Sequence, residues 1–452
     1  MTGDSTIQTE ALMPTSDLFH PDFETLADGE VRALQDRLWA AQWAYVSDRS
    51  AMYRRMLPAS IGRPVTLDDL QDLPLTDKED LRAGQEAAYP FGDYVACAEA
   101  SVVRLHRTSG TTGRALNLAN SRQDCDRIAT IGGRAMHASG LRSTDRVVHC
   151  LNYCMWTGGV TDHMTLEAAG ATVVPFGVGN TKQLLQTIRD LKITAISCTP
   201  SYPALLEKLL RDEGGPAPRD LGLRLGLFGG EAGLDNAAFR TAMEETWGFG
   251  VRNANYGLSE VLSTLGSQCE ATTDLHFHGS DYLFAEILDA EGNRLPIREG
   301  TVGELVCTHI EKECQPLIRY RTRDVITVTG TGRCACGRTS WRFRVSGRTD
   351  DMFNVRGINV FPSAVRKAVS SLPTLSSGHF RIRLVGPGPY DRIQLRVEAA
   401  EGLPETAWPA AAVELEKAVR DQAGATATVT MIPHDTLPRT AGKTDWIERV
   451  AS

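Results

Sequence analysis

The sequence predicts an α/β protein in which a large N-terminal domain, built on a parallel sheet and extended by a second β-rich subdomain, is followed by a small α+β C-terminal domain. Three observations carry this. Between positions 145 and 250, short β-branched or apolar runs ("RVVHCL", "ATVVPF", "TAISC", "RLGLF") alternate with longer segments of helical apolar spacing such as "TKQLLQTIRDL" and "SYPALLEKLLRD". Strand and helix in alternation imply parallel strands covered by helices. Downstream, "GELVCTHI" and "PLIRYRTRDVITVTG" alternate as strands of another sheet. After "GRTDDMF" the pattern becomes "PSAVRKAVSSL" (helix), "HFRIRLVG" and "DRIQLRVEA" (strands), "AAAVELEKAVRDQAG" (helix) and "TATVTMI" (strand), a compact α+β unit of about a hundred residues.

A chain of 452 residues exceeds what one hydrophobic core usually organises. The expected domains are residues 1–349 and 350–452, with the boundary at Asp350. Hydrophobic residues at 42% and charged residues at 23% mark a globular chain. A net charge of −8 supplies no basic field for nucleic acid or an anionic membrane, so small soluble partners are expected. The polar, acidic start lacks the basic and apolar regions of a secretory leader, and no run reaches the ~18 apolar residues of a membrane span. A cytoplasmic location follows as an expectation, and with it the reading of the ten cysteines as free thiols or metal ligands.

Residues 29–57 carry Leu, Trp and Ala at helical spacing, and "TDKED" from Thr76 has the Ser/Thr-x-x-Glu form of a capping box. In the parallel half, "NYCMWTGG", "FGVGNT", "CTPSY" and "FGGEAG" each follow the carboxyl end of a strand, where ligands of such sheets bind. These four loops are expected to line one crevice. "RTSGTTGRA" (107–115) combines a permissive backbone, several hydroxyls and a cation, the composition of a polyphosphate clamp, but without the Walker spacing.

"RTSGTTGRA", "FGGEAG" (228–233), "NYGLSE" (255–260), "YRTRD" (320–324), "GRTDDMFNVRGINVFPS" (347–363) and "PRTAGK" (438–443) occur in one order. In that order and at those separations the chain resembles the adenylate-forming superfamily, and within it the phenylacetate-coenzyme A ligase family, from about Leu73 to the C-terminus. The resemblance implies that a carboxylate attacks the α-phosphate of ATP, releasing pyrophosphate and leaving an acyl-adenylate, which is then transferred to coenzyme A to give a thioester. Transfer to a carrier-protein thiol or an amine is the alternative, and a non-catalytic nucleotide-binding relative a third reading. Retention of Lys443 and Glu260 argues against the last.

By the same resemblance, Thr108, Ser109, Gly110, Thr111, Thr112 and Gly113 form the loop for the β- and γ-phosphates. Arg114 stands where lysine is more usual, keeping the charge on a planar fork. Tyr256, in a loop with Gly257 and Ser259, corresponds to the adenine-stacking aromatic, and Glu260 to the carboxylate that holds Mg²⁺. Asp324 corresponds to the aspartate that grips the ribose hydroxyls, with Arg348 beside it, and Glu231 and Ala232 to adenine and ribose contacts. Lys443 corresponds to the cation between carboxylate and α-phosphate, and Asp350 to the hinge of a mobile C-terminal domain that presents Lys443 and then the "RGINVFP" face. A homodimer is a further family expectation.

Tyr153, Trp156, Thr157, Gly158, Gly159 and Gly230 lie where this family builds a flat slot, which suits an aryl or arylacetic acid. Asn152, Ser263 and Thr264 are candidates for reading polar substituents on its ring. Finally, "RCACG" sets Cys334 and Cys336 in a tight turn, and "CEATTDLH" offers Cys269 and His276. Three thiolates and an imidazole make a closed structural zinc site. Some members of the family carry such a site at matching positions; His278, Cys307, His309 and Cys314 are competing ligands.

Overall fold

The computed structural model describes residues 18–450 except 58, 61, 109–114, 232, 350, 357, 387–389 and 439–445. Ser109 to Arg114, Ala232, Asp350 and Lys443 therefore lie outside the described residues.

The parallel half is as the sequence pattern requires. Strands Thr172–Pro175, Arg146–His149, Ala195–Cys198, Leu225–Gly229 and Gly250–Leu258 lie side by side in that order, all parallel. Side chains split by the period of two. Val148, Ile196, Cys198 and Phe228 pack with Leu184, Ile188, Leu206 and Leu210 from the covering helices on one face, whereas Val147, Ala195, Leu225 and Leu227 meet Met136 and Leu166 on the other. Burial on both faces explains why Ala195–Cys198 and Leu225–Gly229 read as continuously apolar, whereas the edge strand Thr172–Pro175 is half exposed.

The β-rich part is hydrogen-bonded into the same sheet, giving twelve strands rather than two separate sheets. Strand Gly250–Leu258 makes the join: its first residues pair parallel with Leu225–Gly229, and Tyr256 and Leu258 pair antiparallel with Leu262–Cys269. Nine residues are long enough for both. Gly257 permits the tight return, since a Cβ there would stand 2.1 Å from the Ser263 carbonyl oxygen. Antiparallel strands then continue through Thr272–Phe277, Arg342–Arg348, Tyr320–Gly330, Val302–His309 and Leu283–Leu288 to Arg294–Leu295.

Helices Asp28–Arg49 and Ala51–Met56 occupy the N-terminal stretch expected to be helical. Trp39 and Trp43 are buried there, with their indole N–H groups donating to the carbonyls of Val65 at 2.8 Å and Arg63 at 2.9 Å. The capping box at "TDKED" sits one residue later than its sequence form suggests. Asp77 is the N-cap, accepting from Glu79 and Asp80 amides, and Asp80 returns the bond. Thr76 is engaged elsewhere: its hydroxyl donates to the Ile318 carbonyl at 2.8 Å, and its backbone bonds Arg319 and Arg321.

The C-terminal unit has strands Ala427–Ile432, Ile393–Ala399, Ser376–Val385 and Ile447–Val450 in sheet order, covered by helices Pro362–Ser370 and Trp408–Ala423. Its core of Val365, Phe380, Ile382, Val397, Leu415 and Val419 is its own. No helix among the described residues is long and apolar enough to cross a membrane.

Candidate active site

The four loops expected at one crevice do meet. A Cβ on Gly177 would come within 3.7 Å of the Tyr153 ring, the Ser201 amide donates to Glu231 Oε2 at 3.3 Å, and a Cβ on Gly230 would come within 3.4 Å of the Trp156 ring and 3.9 Å of Thr199. The base of the "RTSGTTGRA" loop joins them, since the Arg107 amide donates to the Met155 carbonyl at 2.8 Å. Thr108 closes that loop: its amide donates to the Leu116 carbonyl, and its hydroxyl accepts from the Leu116 amide, both at 3.0 Å.

On the sheet side, Asp324 is held from two directions. The Tyr256 hydroxyl donates to Oδ2 at 2.7 Å and Arg348 Nη1 to Oδ1 at 2.6 Å. Arg348 is also its cross-strand partner. The Tyr256 ring stands edge-on to Phe343, centroids 5.4 Å apart. Burial, reinforced by the Asp324 charge, raises the Tyr256 phenol well above its usual pKa, so it stays a donor.

Ser259 and Glu260 lie in the turn after the Tyr256 strand. The Glu260 side chain, 9% exposed, accepts from the Tyr320 hydroxyl at 2.7 Å and faces Lys78 Nζ at 3.7 Å. A single carboxylate oriented by a tyrosine hydroxyl is a donor set that suits Mg²⁺ bound to a polyphosphate. Glu231 is raised by burial, with Ser201 and Arg366 acting against the shift.

In the slot region, Trp156 lies against Gly158 and Gly230. A Cβ on Gly158 would be 2.8 Å from its ring, and Gly159 sits where a Cβ would be 2.5 Å from the Asn152 carbonyl oxygen. Tyr153 bonds His163 Nδ1 at 2.9 Å. Beneath the loop, His149 Nε2 is 3.1 Å from the carbonyl oxygens of Gly158 and Gly159, and Nδ1 is 3.0 Å from Ser197 Oγ. Carbonyls only accept, so Nε2 carries the proton and Nδ1 accepts from Ser197. Asn152 is used locally, accepting from the Cys154 amide at 2.9 Å. The Thr157, Ser263 and Thr264 hydroxyls are buried and find no hydrogen-bond partner among the described residues.

The metal-ligand set is resolved among its competitors. Cys269, His276, Cys334 and Cys336 are all buried, with their ligand atoms within 4.8 Å of one another. Cys269 and Cys334 sulfurs are 3.9 Å apart, and Cys336 Sγ is 3.6 Å from His276 Nε2. A tetrahedral zinc with bonds of about 2.3 Å to sulfur and about 2.0 Å to nitrogen requires separations of about 3.8 and 3.6 Å. The residues therefore fit zinc. His276 Nδ1 bonds Ser340 Oγ at 3.0 Å, an outer contact that orients the ring. The rivals are committed elsewhere: His278 to Ser267 at 2.8 Å, His309 to the Val261 carbonyl at 2.8 Å, Cys314 beside Cys97 at 2.9 Å, and Cys307 in the strand core.

Three residues around the site were missed by the sequence reading. Lys78 lay within "TDKED", which reads as capping chemistry; Tyr320 opened a strand motif; Arg366 lay in a helix segment read only for its periodicity. Their partners are distant in sequence, so no local pattern marks them.

Residues 53–310 match the family described as AMP-binding enzyme, and residues 357–449 its C-terminal domain. The chain belongs to the AMP-binding enzyme family. It is 33% identical to the phenylacetate-coenzyme A ligase of Thermus thermophilus over 94% of this chain and 97% of that one. To that of Escherichia coli it is 35% identical, over 93% and 95%. Among solved AMP-binding enzymes, 2-hydroxyisobutyryl-CoA ligase in the postadenylation state with 2-HIB-AMP matches with a TM-score of 0.85 at 28% identity, covering 97% of this chain and 94% of the other. The same ligase in the thioesterification state, with 2-HIB-AMP and CoA, gives 0.70 at 29% identity over 98% and 94%. Two states of one enzyme differ in arrangement, so the present arrangement is nearer the postadenylation one.

Proposed function

We propose that this chain activates an aromatic carboxylic acid, aryl or arylacetic, with ATP and passes it to coenzyme A. The carboxylate oxygen attacks the α-phosphorus and pyrophosphate leaves. The coenzyme A sulfur, giving up its proton, then attacks the acyl carbonyl and AMP leaves. The observation that carries this reading is that Tyr256 and Arg348 hold the two oxygens of Asp324, with Glu260 in the turn that follows the Tyr256 strand and Trp156 among the strand-end loops.

Each residue has a task suited to its chemistry. Asp324, whose carboxylate is oriented by Tyr256 and Arg348, accepts the ribose hydroxyls. The Tyr256 face takes the adenine, with Gly257 allowing the close turn behind it. Glu260 holds Mg²⁺, which when bound supplies charge neutralisation at the phosphates. Residues 108–114 hold the β- and γ-phosphates, and Lys443 neutralises the charge that builds as two anions meet. Lys78, 3.7 Å from Glu260, is an additional cation beside it. Trp156 over Gly158 and Gly230 makes a planar wall suited to an aromatic ring. The C-terminal domain turns about Asp350 between the two half-reactions. Zinc at Cys269, His276, Cys334 and Cys336 ties two hairpin turns together and takes no part in the chemistry.

Pyrophosphate exchange across aryl, arylacetic and small hydroxy acids, repeated with coenzyme A and carrier proteins as acceptors, tests this. Exchange with aromatic acids and thioester formation with coenzyme A are expected. Exchange only with aliphatic hydroxy acids overturns the acid class, and exchange without thioester overturns the acceptor.

A further inference from the structure

Arg366 belongs to the C-terminal helix Pro362–Ser370, yet its guanidinium is spent outside that domain's core. Its side chain is only 11% exposed and lies 3.3 Å from Asp235 Oδ1 in the loop that follows Leu225–Gly229. The same loop passes under it at Gly233. With φ at +144° that glycine has a backbone few side chains tolerate, and a Cβ there would stand 3.1 Å from Arg366 Nη2. Glu231, two residues earlier, is close enough for its charge to act on the guanidinium. On its other side the guanidinium faces Trp446, 5.8 Å from the ring centroid.

Trp446 is itself anchored. Its ring stacks on Phe380 with centroids 4.6 Å apart, and its carbonyl accepts from the Ile382 amide at 2.8 Å. Lys443 precedes it by three residues, a stretch that spans at most about 10 Å. Arg366 bridges Trp446 to the loop bearing Glu231.

We propose that Arg366 is the positioning residue that seats the C-terminal domain against the loop bearing Glu231 during adenylation, and that its contacts to Asp235 and Glu231 are released before thioester formation. This rests on the two-step reading above. An exposed ion pair alone would contribute little, and Asp235 is 56% exposed. The cation, however, is largely withdrawn from water, and both of its carboxylate neighbours come from the N-terminal domain. Withdrawn from that loop the guanidinium is re-hydrated, so the contact favours one arrangement without making the other inaccessible. Arginine suits the task because its plane can face an indole while its edge meets carboxylates.

The test compares wild type, Arg366→Ala, Arg366→Lys and Asp235→Asn in two assays: pyrophosphate exchange, and transfer from synthetic acyl-adenylate to coenzyme A, each with thermal melting as a check on folding. Arg366→Ala is expected to lower the exchange kcat by roughly tenfold or more with little change in the KM for ATP, and to leave transfer close to wild type. Arg366→Lys should recover part of the loss. Asp235→Asn, on the other domain, should show the same selective loss in smaller degree even if Arg366→Ala folds poorly. Equal losses in both assays, or unchanged exchange in Asp235→Asn and Arg366→Lys, overturn the proposal. Absence of exchange in the wild type would instead overturn the two-step reading itself.

Discussion

Tyr256 and Asp324, 68 residues apart in the chain, meet through a phenol–carboxylate hydrogen bond of 2.7 Å. With Arg348 on the other oxygen, the carboxylate is held from two sides. Preorganisation of this kind is lost differently by different substitutions. Asp324→Ala removes the acceptor and leaves Arg348 without it, so ATP binding should weaken by roughly tenfold to a hundredfold, the range for a charge-assisted hydrogen bond. Tyr256→Phe keeps the ring and should cost only a few-fold. Calorimetric titration with a non-hydrolysable ATP analogue measures both, and equal effects would contradict the division of roles.

Purified protein should carry about one zinc per chain. Cys334→Ser and Cys336→Ser should lower the unfolding midpoint far more than they change the KM for ATP or acid, because a structural site contributes folding energy. Metal analysis alongside chemical unfolding checks this. Metal-free protein of unchanged stability would remove zinc from the account.

Lys443→Ala should separate the two half-reactions. Loss of one preorganised cation corresponds to about 3 kcal/mol of transition-state stabilisation, roughly a hundredfold in the adenylation rate. Transfer from synthetic acyl-adenylate should stay near normal, and ATP affinity should change little. Parallel loss in both steps would make Lys443 a structural residue.

His149 makes stability depend on pH. Burial, partly offset by the carbonyls of Gly159 and Gly158, pushes its pKa down to about 4 from 6.5. The unfolded chain takes up a proton near pH 6.5 while the folded one resists until about 4, so this contribution is present above pH 6.5 and is lost as pH falls towards 4. Between pH 7 and pH 5 the loss amounts to about 2 kcal/mol. His106, also held near 4 by burial, adds to it. Urea unfolding at both pH values should show the decline, and His149→Gln should narrow it; an unchanged difference would mean His149 titrates normally.

Much of this protein was legible from the sequence because its signals are local. Val147 and Val148, Leu227 and Phe228 alternate between the two faces of the parallel sheet, and a period of two is visible in four letters. The Cys334 and Cys336 turn, Gly257 in its tight return, and the order of the six motifs likewise belong to short stretches whose chemistry is complete within them. Tertiary structure alone decided the rest. It merged the β-rich strands into one sheet through Gly250–Leu258, and moved the helix cap from Thr76 to Asp77 because Thr76 was taken by Ile318 and Arg319. It also brought Lys78 to Glu260 and Arg366 to Asp235. A lone lysine or arginine on a helix reads as a solvated cation, and only the folded chain supplies the distant carboxylate and the exclusion of water that give such a charge a specific task.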